Sequence, residues 1–266
     1  MSEISFQPDG SGWVLTMDEV AHSWVDPDDP TRLEFAYMVR LADYLDLAAG
    51  PGERMWVIHI GGGAMSLPRY VAATRPTSAQ IVLEPNVELT AKVREYLPLP
   101  PRSGVKVRPL GGREGVTEMP DDYAQAIVVD AFADARVPKS LISTEFFEQC
   151  FRVLHADGML LVNVIDTFPL AWTKRVLAGI SQFAGHLALS AELAVLKGRR
   201  HGNLVLAASR AELPVDQIVR KAAGADFPYR VMHGAKLVSF IGGAEPFTDA
   251  DAEPSPVVER GLLHFE

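Results

Sequence analysis

Along the chain the spacing of hydrophobic positions changes several times, and each change marks an element. Trp13 to Met17 alternates with the two-residue period of a strand, turns at Asp18 and Glu19, and resumes from Val20 to Val25, which predicts a small β-hairpin. An acidic, proline-bearing block, Asp26 to Thr31, comes next. Its last residue is placed to cap a helix running through Leu33, Tyr37, Leu41 and Leu45, which Gly50, Pro51 and Gly52 end. Short apolar runs then dominate. Met55 to Ile60 stops at Gly61-Gly62-Gly63 and gives way to a helical pattern over Ser66 to Arg75, with Pro68 in the first turn, where a missing N–H is tolerated. Ile81 to Leu83 ends in Glu84 and precedes a helix over Val87 to Tyr96. Val105 to Leu110 ends in Gly111-Gly112. Ala126 to Val129 ends in Asp130 and is followed by a helix over Thr144 to Leu154, after which Gly158 opens a fifth run, Met159 to Val164. Strands this apolar, alternating with helices, predict a parallel sheet covered on both faces.

The run Ala191 to Leu196 and the run Leu204 to Ala208 read as two strands joined by only Lys197 to Asn203, too short a link for a crossover helix, so this pair is expected to be antiparallel. The prediction is therefore an α/β, Rossmann-like fold of the S-adenosylmethionine-type transferases: a mostly parallel seven-stranded sheet ending in an antiparallel hairpin, with a small N-terminal β-hairpin. Residues 1–30 form the hairpin lid, 31–247 the transferase domain and 248–266 a tail. The acidic, proline-bearing stretch Thr248 to Pro256 is expected to wrap the surface as coil.

Composition narrows the class. A chain of 266 residues that is 48% hydrophobic and 22% charged supports one sizeable core with a small appendage and excludes a disordered or collagen-like polymer. The formal net charge of −9 argues against a nucleic-acid or anionic-membrane partner and favours cationic ligands. A single cysteine, Cys150, excludes an internal disulfide or a cysteine zinc cluster and fits a reducing compartment. The first residues have no basic segment leading into an apolar one, and no apolar run approaches the ~18 residues of a membrane span. The chain reads as soluble and cytoplasmic.

Three features fall at the carboxyl ends of successive strands, the edge at which open α/β sheets bind ligands. Gly61-Gly62-Gly63 allows a sharp turn and close approach to the main chain. Glu84, about 20 residues on, stands where an acid accepts hydrogen bonds from ribose hydroxyls; as a strand-end acid it also suits capping of the next helix. Together they fit either NAD or an adenosyl-sulfonium compound, and Ser66, where the strict dinucleotide pattern has its last glycine, tilts the reading away from NAD. The third feature is Asp130-Ala131-Phe132-Ala133-Asp134, whose two carboxylates can point into one cleft, one to accept a proton and the other to hold a cation, and either of which also suits a helix cap or a solvated loop. His59, inside the first strand of the sheet, reads as a packed residue. The seven histidines show no metal-ligand spacing.

Val57 to Arg69 (VIHIGGGAMSLPR), Ile81 to Val87 (IVLEPNV) and Ala126 to Phe147 (AIVVDAFADARVPKSLISTEFF) resemble blocks of the polyamine aminopropyltransferases, the spermidine synthase family. Trp13 to Met38 resembles that family's N-terminal hairpin and the entry helix that carries its tyrosine, here Tyr37. The resemblance runs from about 13 to 208 and is nearest a spermidine-synthase-like branch. It implies transfer of an aminopropyl group from decarboxylated S-adenosylmethionine to an amine such as putrescine, releasing methylthioadenosine, with no metal and no tightly bound cofactor. Asp130 would be the base. Gly61, Gly62, Gly63, Glu84, Gly111, Gly112 and Ala131 would hold the nucleoside, and Tyr37, Asp134 and His22 the amine. A homodimer is implied by resemblance alone. The departures are Ala64 for the aspartate of GGGDG, Gly111-Gly112 for the acid that ends the third strand, and an alanine at 133 with the acid displaced to Asp134. His22 and Met38 stand where the family has glutamines. These missing acids suggest that the excess negative charge lies largely outside the pocket. A methyltransferase using intact S-adenosylmethionine and a non-catalytic nucleoside-binding protein are the alternatives.

Overall fold

The computed structural model describes residues 3–257; of the expected tail, positions 258–266 lie outside the described residues. The chain opens with β1 (Ile4–Asp9), β2 (Gly12–Met17) and β3 (Val20–Val25), an antiparallel meander. The hairpin turn falls at Asp18 and Glu19, both at positive φ, the two-residue turn whose twist matches that of its strands. The meander has one strand more than expected. Ile4 to Asp9, with Pro8 and three exposed residues, has too weak an alternation to read as a strand, and pairing with β2 is what orders it.

Next come α1 (Ala36–Ala48), β4 (Trp56–Ile60), α2 (Ser66–Thr74), β5 (Ala79–Leu83), α3 (Val87–Tyr96), β6 (Val105–Arg108), α4 (Gly112–Thr117) and β7 (Ala124–Val129). A short 3-10 turn at Lys139–Leu141 precedes α5 (Thr144–Val153), β8 (Leu154–Asp166), α6 (Ala171–Ile180), β9 (His186–Ala191) and α7 (Leu193–Leu196). The last elements are β10 (Gly202–Ser209), α8 (Val215–Ala223), β11 (Arg230–His233) and α9 (Gly234–Ile241). Thr31 does not cap α1. Its amide and hydroxyl bond back to Asp29 in a local turn, and the helix begins after Phe35 without a side-chain cap. The strand expected at 191–196 lies earlier: β9 ends at Ala191, and the apolar run beyond it coils into α7, with the Leu196 N–H donating to the Glu192 carbonyl at 3.1 Å. A short stretch that is apolar apart from Glu192 suits either state, and the sheet had already taken up the preceding residues.

The large sheet has eight strands in the order β11-β9-β10-β8-β7-β4-β5-β6, one more than expected because β11 adds an antiparallel edge. β8, β7, β4, β5 and β6 are parallel, and β10 and β9 are antiparallel to their neighbours. Alternate residues of each strand feed opposite faces, as the two-residue period requires. Ile58, Ile60, Ile127, Val129, Leu160 and Val162 pack with Phe146, Phe147, Val176 and Leu177 from α5 and α6. Val57, Ala126, Val128 and Leu161 pack with Leu41 and Leu45 of α1, Val71 of α2 and Ile218 of α8. A third cluster fastens the meander, through Ile4, Leu15 and Val25, onto Ala64, Met65 and Leu89. Because β5 and β7 flank β4 on opposite sides, the strand order reverses at β4, and a crevice opens above the carboxyl ends of β4 and β7. Among the described residues no helix is long and apolar enough to cross a membrane.

Candidate active site

The crevice is a cleft of about 720 Å³, a volume typical of small-molecule sites. Gly61, Gly62, Gly63, Glu84, Gly111, Gly112, Ala131, Asp130, Tyr37, His22 and Asp134, all expected from the sequence at a site, line it. Gly61 is at φ +94°, where side-chain-bearing residues are strained, and a Cβ there would collide with the Asp130 carbonyl oxygen. That close approach sets the two strand ends side by side, and the Asp130 N–H donating to the Ile60 carbonyl at 2.9 Å continues the β4–β7 ladder to the edge of the cleft.

Glu84 is 9% exposed. One carboxylate oxygen accepts from the Gly62 N–H at 2.9 Å and the other from the Asn86 N–H at 2.8 Å, so the side chain is locked across the glycine turn. Each oxygen has two lone-pair sites, which leaves the carboxylate able to accept further hydrogen bonds from the cleft. Asn86, and not Glu84, caps α3, through its side chain to the Leu89 N–H.

Asp130 is half-buried at the end of β7. Loss of solvation lifts its carboxyl from the ordinary value of 3.8 to about 6, against the opposing effect of an Asn163 side-chain amide that donates to it at 2.8 Å. Tyr37 of α1 stands close enough that the Asp130 charge, added to burial, drives its phenol well above its usual range. His22 is pushed down by burial, with Asp18 opposing. His59 is buried and pushed down to about 4, so it is neutral at physiological pH. The Gln80 amide donates to the Pro68 carbonyl, so its oxygen faces His59 Nε2 and accepts from it at 2.9 Å. His59 is thus a packed residue, as its place in an apolar strand suggests.

Asp134 and Ala135 are both at positive φ, at the tip of a tight turn closed by reciprocal Ala133–Arg136 backbone bonds. The turn leaves Asp134 exposed at the rim of the cleft. Arg136 donates to the Ser255 and Pro254 carbonyls, and the Ser255 hydroxyl accepts from the Val137 N–H at 2.9 Å, so the tail residues up to 257 run as coil and clamp this loop.

Ala64 is fully buried, in the cluster with Ile4, Leu15 and Leu89, and does not line the cleft. Its N–H donates to the Ser23 hydroxyl at 3.0 Å, and Ser66 donates to the Trp24 carbonyl at 2.8 Å, so β3 lies directly on the glycine turn. Five carboxylates line the cleft, those of Asp18, Glu84, Glu114, Asp130 and Asp134, against a single guanidinium, Arg113. Net of that guanidinium the lining carries four of the nine excess negative charges, so the larger part of the excess lies outside the cleft. The missing acids are offset by Asp18 and Glu114, which the family pattern does not mark and which only the folding of β2, β3 and α4 around the cleft brings in. Asn163 also escaped notice. Its one signal is an amide inside the apolar run Met159 to Val164. Among the described residues no group of His, Cys, Asp and Glu side chains could hold a metal ion.

No family model matches the sequence. Among solved structures, a probable spermidine synthase from Corynebacterium glutamicum superposes with a TM-score of 0.87 at 30% identity, covering 93% of this chain and 93% of that one. The chain belongs to the spermidine synthase family. Curated relatives are more distant. The polyamine aminopropyltransferase of Chromobacterium violaceum is 25% identical over 165 residues, 61% of this chain and 62% of that protein, so the chain spans less than two thirds of its length. That of Neisseria meningitidis serogroup A is 25% identical over 231 residues, 82% of each. Of the pattern expected from the sequence, the glycine turn, Glu84, Asp130 and Tyr37 lie together at this cleft, and Ala64 is buried away from it.

Proposed function

We propose that the protein is an aminopropyltransferase whose donor is decarboxylated S-adenosylmethionine and whose acceptor is an aliphatic amine. The observation that carries this reading is that one cleft brings together Asp130, lifted to about 6, Tyr37, whose phenol feels the Asp130 charge, and the glycine turn with the locked Glu84. The donor supplies a sulfonium-bound methylene as electrophile: the acceptor nitrogen bonds to that carbon, the carbon–sulfur bond breaks with its electron pair going to sulfur, and methylthioadenosine leaves. An alkylammonium has a pKa near 10, so the attacking nitrogen must shed a proton before or as it attacks. Asp130 accepts that proton, and its raised pKa makes it a stronger base than an ordinary aspartate. Tyr37, kept neutral by its surroundings, orients the amine with its hydroxyl. Glu84 accepts from ribose hydroxyls with its remaining lone pairs.

The methyltransferase alternative needs a place for the donor's carboxylate. Ala64 frees no space for it, since it lies beneath β3, and the guanidinium of Arg113 is already engaged by Asp249, at 3.0 and 2.7 Å, and by Ser143. Both observations favour the decarboxylated donor. The test is incubation of the purified protein with decarboxylated S-adenosylmethionine and a panel of amines, with methylthioadenosine quantified by chromatography. Product is expected with at least one amine, and Asp130→Asn should lower kcat/KM by about 100-fold or more. Absence of product with every amine would overturn the reading.

A further inference from the structure

Beside the cleft the register of three strands lines up three polar side chains, of which Asp130 lines the cleft and Asn163 and Asn203 lie behind it. Val129 of β7 pairs with Val162 of β8, which brings Asp130 beside Asn163. Asn163 pairs with Val205 of β10, so Asn203, two residues along, stands diagonally from it on the same face. The hydrogen bonds follow that layout. Asn163 Nδ2 donates to Asp130 Oδ1 at 2.8 Å, and Asn203 Nδ2 donates to Asn163 Oδ1 at 3.1 Å. An ionised carboxylate can only accept, so Asn163 must turn its amide nitrogen to Asp130 and its oxygen to Asn203, and Asn203 must donate. Each amide flip is thereby decided. Asn203 is in turn backed by α1: the buried Arg40 donates to its main-chain carbonyl at 3.3 Å and to the Glu192 carboxylate at 3.1 Å. Asn163 is wholly buried, where an amide without partners would be costly, and both of its polar atoms are used.

We propose that Asn163 is a positioning residue for Asp130, with Asn203 fixing its orientation, so that the two asparagines set the direction of the carboxylate that takes the acceptor's proton. The proposal rests on the reading of Asp130 as the base. The second carboxylate oxygen, Oδ2, is left toward the cleft. The ionisable groups that share the cleft with it are Tyr37 from α1, which feels its charge, His59 from β4, Asp18 and His22 from the β2–β3 hairpin, Glu84 after β5, Arg113 and Glu114 from α4 and Asp134 from its own loop. None of them bonds to Asp130 in the way Asn163 does, so the two asparagines are the natural points of intervention.

The test uses Asn163→Leu, which keeps the branched side-chain skeleton and removes the donor, and Asn203→Ala, which removes only the orienting partner. The Asp130 carboxyl is titrated by carbon NMR, assigned with Asp130→Asn, alongside the pH profile of kcat/KM. In Asn163→Leu the Asp130 titration and the acidic limb of the profile should move together to higher pH, by about half a unit to one unit, because a bond to the ionised form is lost. The plateau rate should fall about tenfold as the carboxylate loses its direction. Asn203→Ala should shift both the same way but less, and have no effect once Asn163 is leucine. An unmoved Asp130 titration in a folded Asn163→Leu variant overturns the proposal. If that variant does not fold, Asn203→Ala decides on the same reading. Should no amine yield product while the Asp130 titration still moves, the functional reading falls and the positioning role stands.

Discussion

Asp130 is held at a cost that its role explains. The unfolded chain releases this proton near 3.8, whereas the folded one keeps it to about 6. The folded state therefore bears the penalty of a desolvated carboxylate in full above about pH 6 and not at all below about pH 4. Asp130→Asn should accordingly stabilise the protein by about 1–2 kcal/mol at pH 7 to 8, the value discounted for water reaching the cleft, with the gain fading to nothing by pH 4. Urea unfolding across that range checks the sign, and a gain that grew toward low pH would contradict it. Active sites commonly trade stability for poised groups in this way. At this scale the sequence was informative for residues that end strands, such as Glu84 and Asp130, since an acid after an apolar run marks the edge where ligands bind. It was uninformative for Asn163, because a single amide inside a strand gives no sign of its neighbours across the sheet.

At the scale of elements, the N-terminal meander and the glycine turn act as one piece. Ser23 accepts from Ala64, Ser66 donates to the β3 backbone, and Gly63, at φ +47°, has Ser23 where a Cβ would sit. Ser66→Gly would complete the dinucleotide-type glycine pattern on paper, yet it removes the bond to Trp24 and puts glycine at the start of α2. It should lower stability by about 1–2 kcal/mol and confer no NAD binding, as measured by thermal melting with and without the dinucleotide. The strands of the parallel sheet were legible because burial on both faces demands unbroken apolar runs. β1, α4, α6, α8, α9 and β11 were not foreseen, and the run at 191–196 was misplaced. These elements lie where amphipathic and apolar patterns suit more than one state, and packing against the finished sheet decides among them.

Over the whole molecule, four of the nine excess negative charges sit at the cleft, from five lining carboxylates less one guanidinium, which is itself engaged by Asp249. Such a cleft focuses field and raises the encounter rate of cations. Raising salt from about 0.05 to 0.5 M should lower kcat/KM for a diamine acceptor several-fold, as the Debye length shrinks well below the width of the site, while binding of uncharged methylthioadenosine, followed by calorimetry, barely changes. Equal sensitivity of both would argue against steering. The sequence by itself determined the parallel sheet, its antiparallel finish, the family resemblance and the strand-end residues, because periodicity and the chemistry of strand termini are local in the chain. Only the tertiary structure decided that Ala64 is sealed beneath β3, that Asp18 and Glu114 face the cleft, and that Asn163 and Asn203 orient Asp130. Those facts depend on strand register and on the docking of distant segments, which no local pattern encodes.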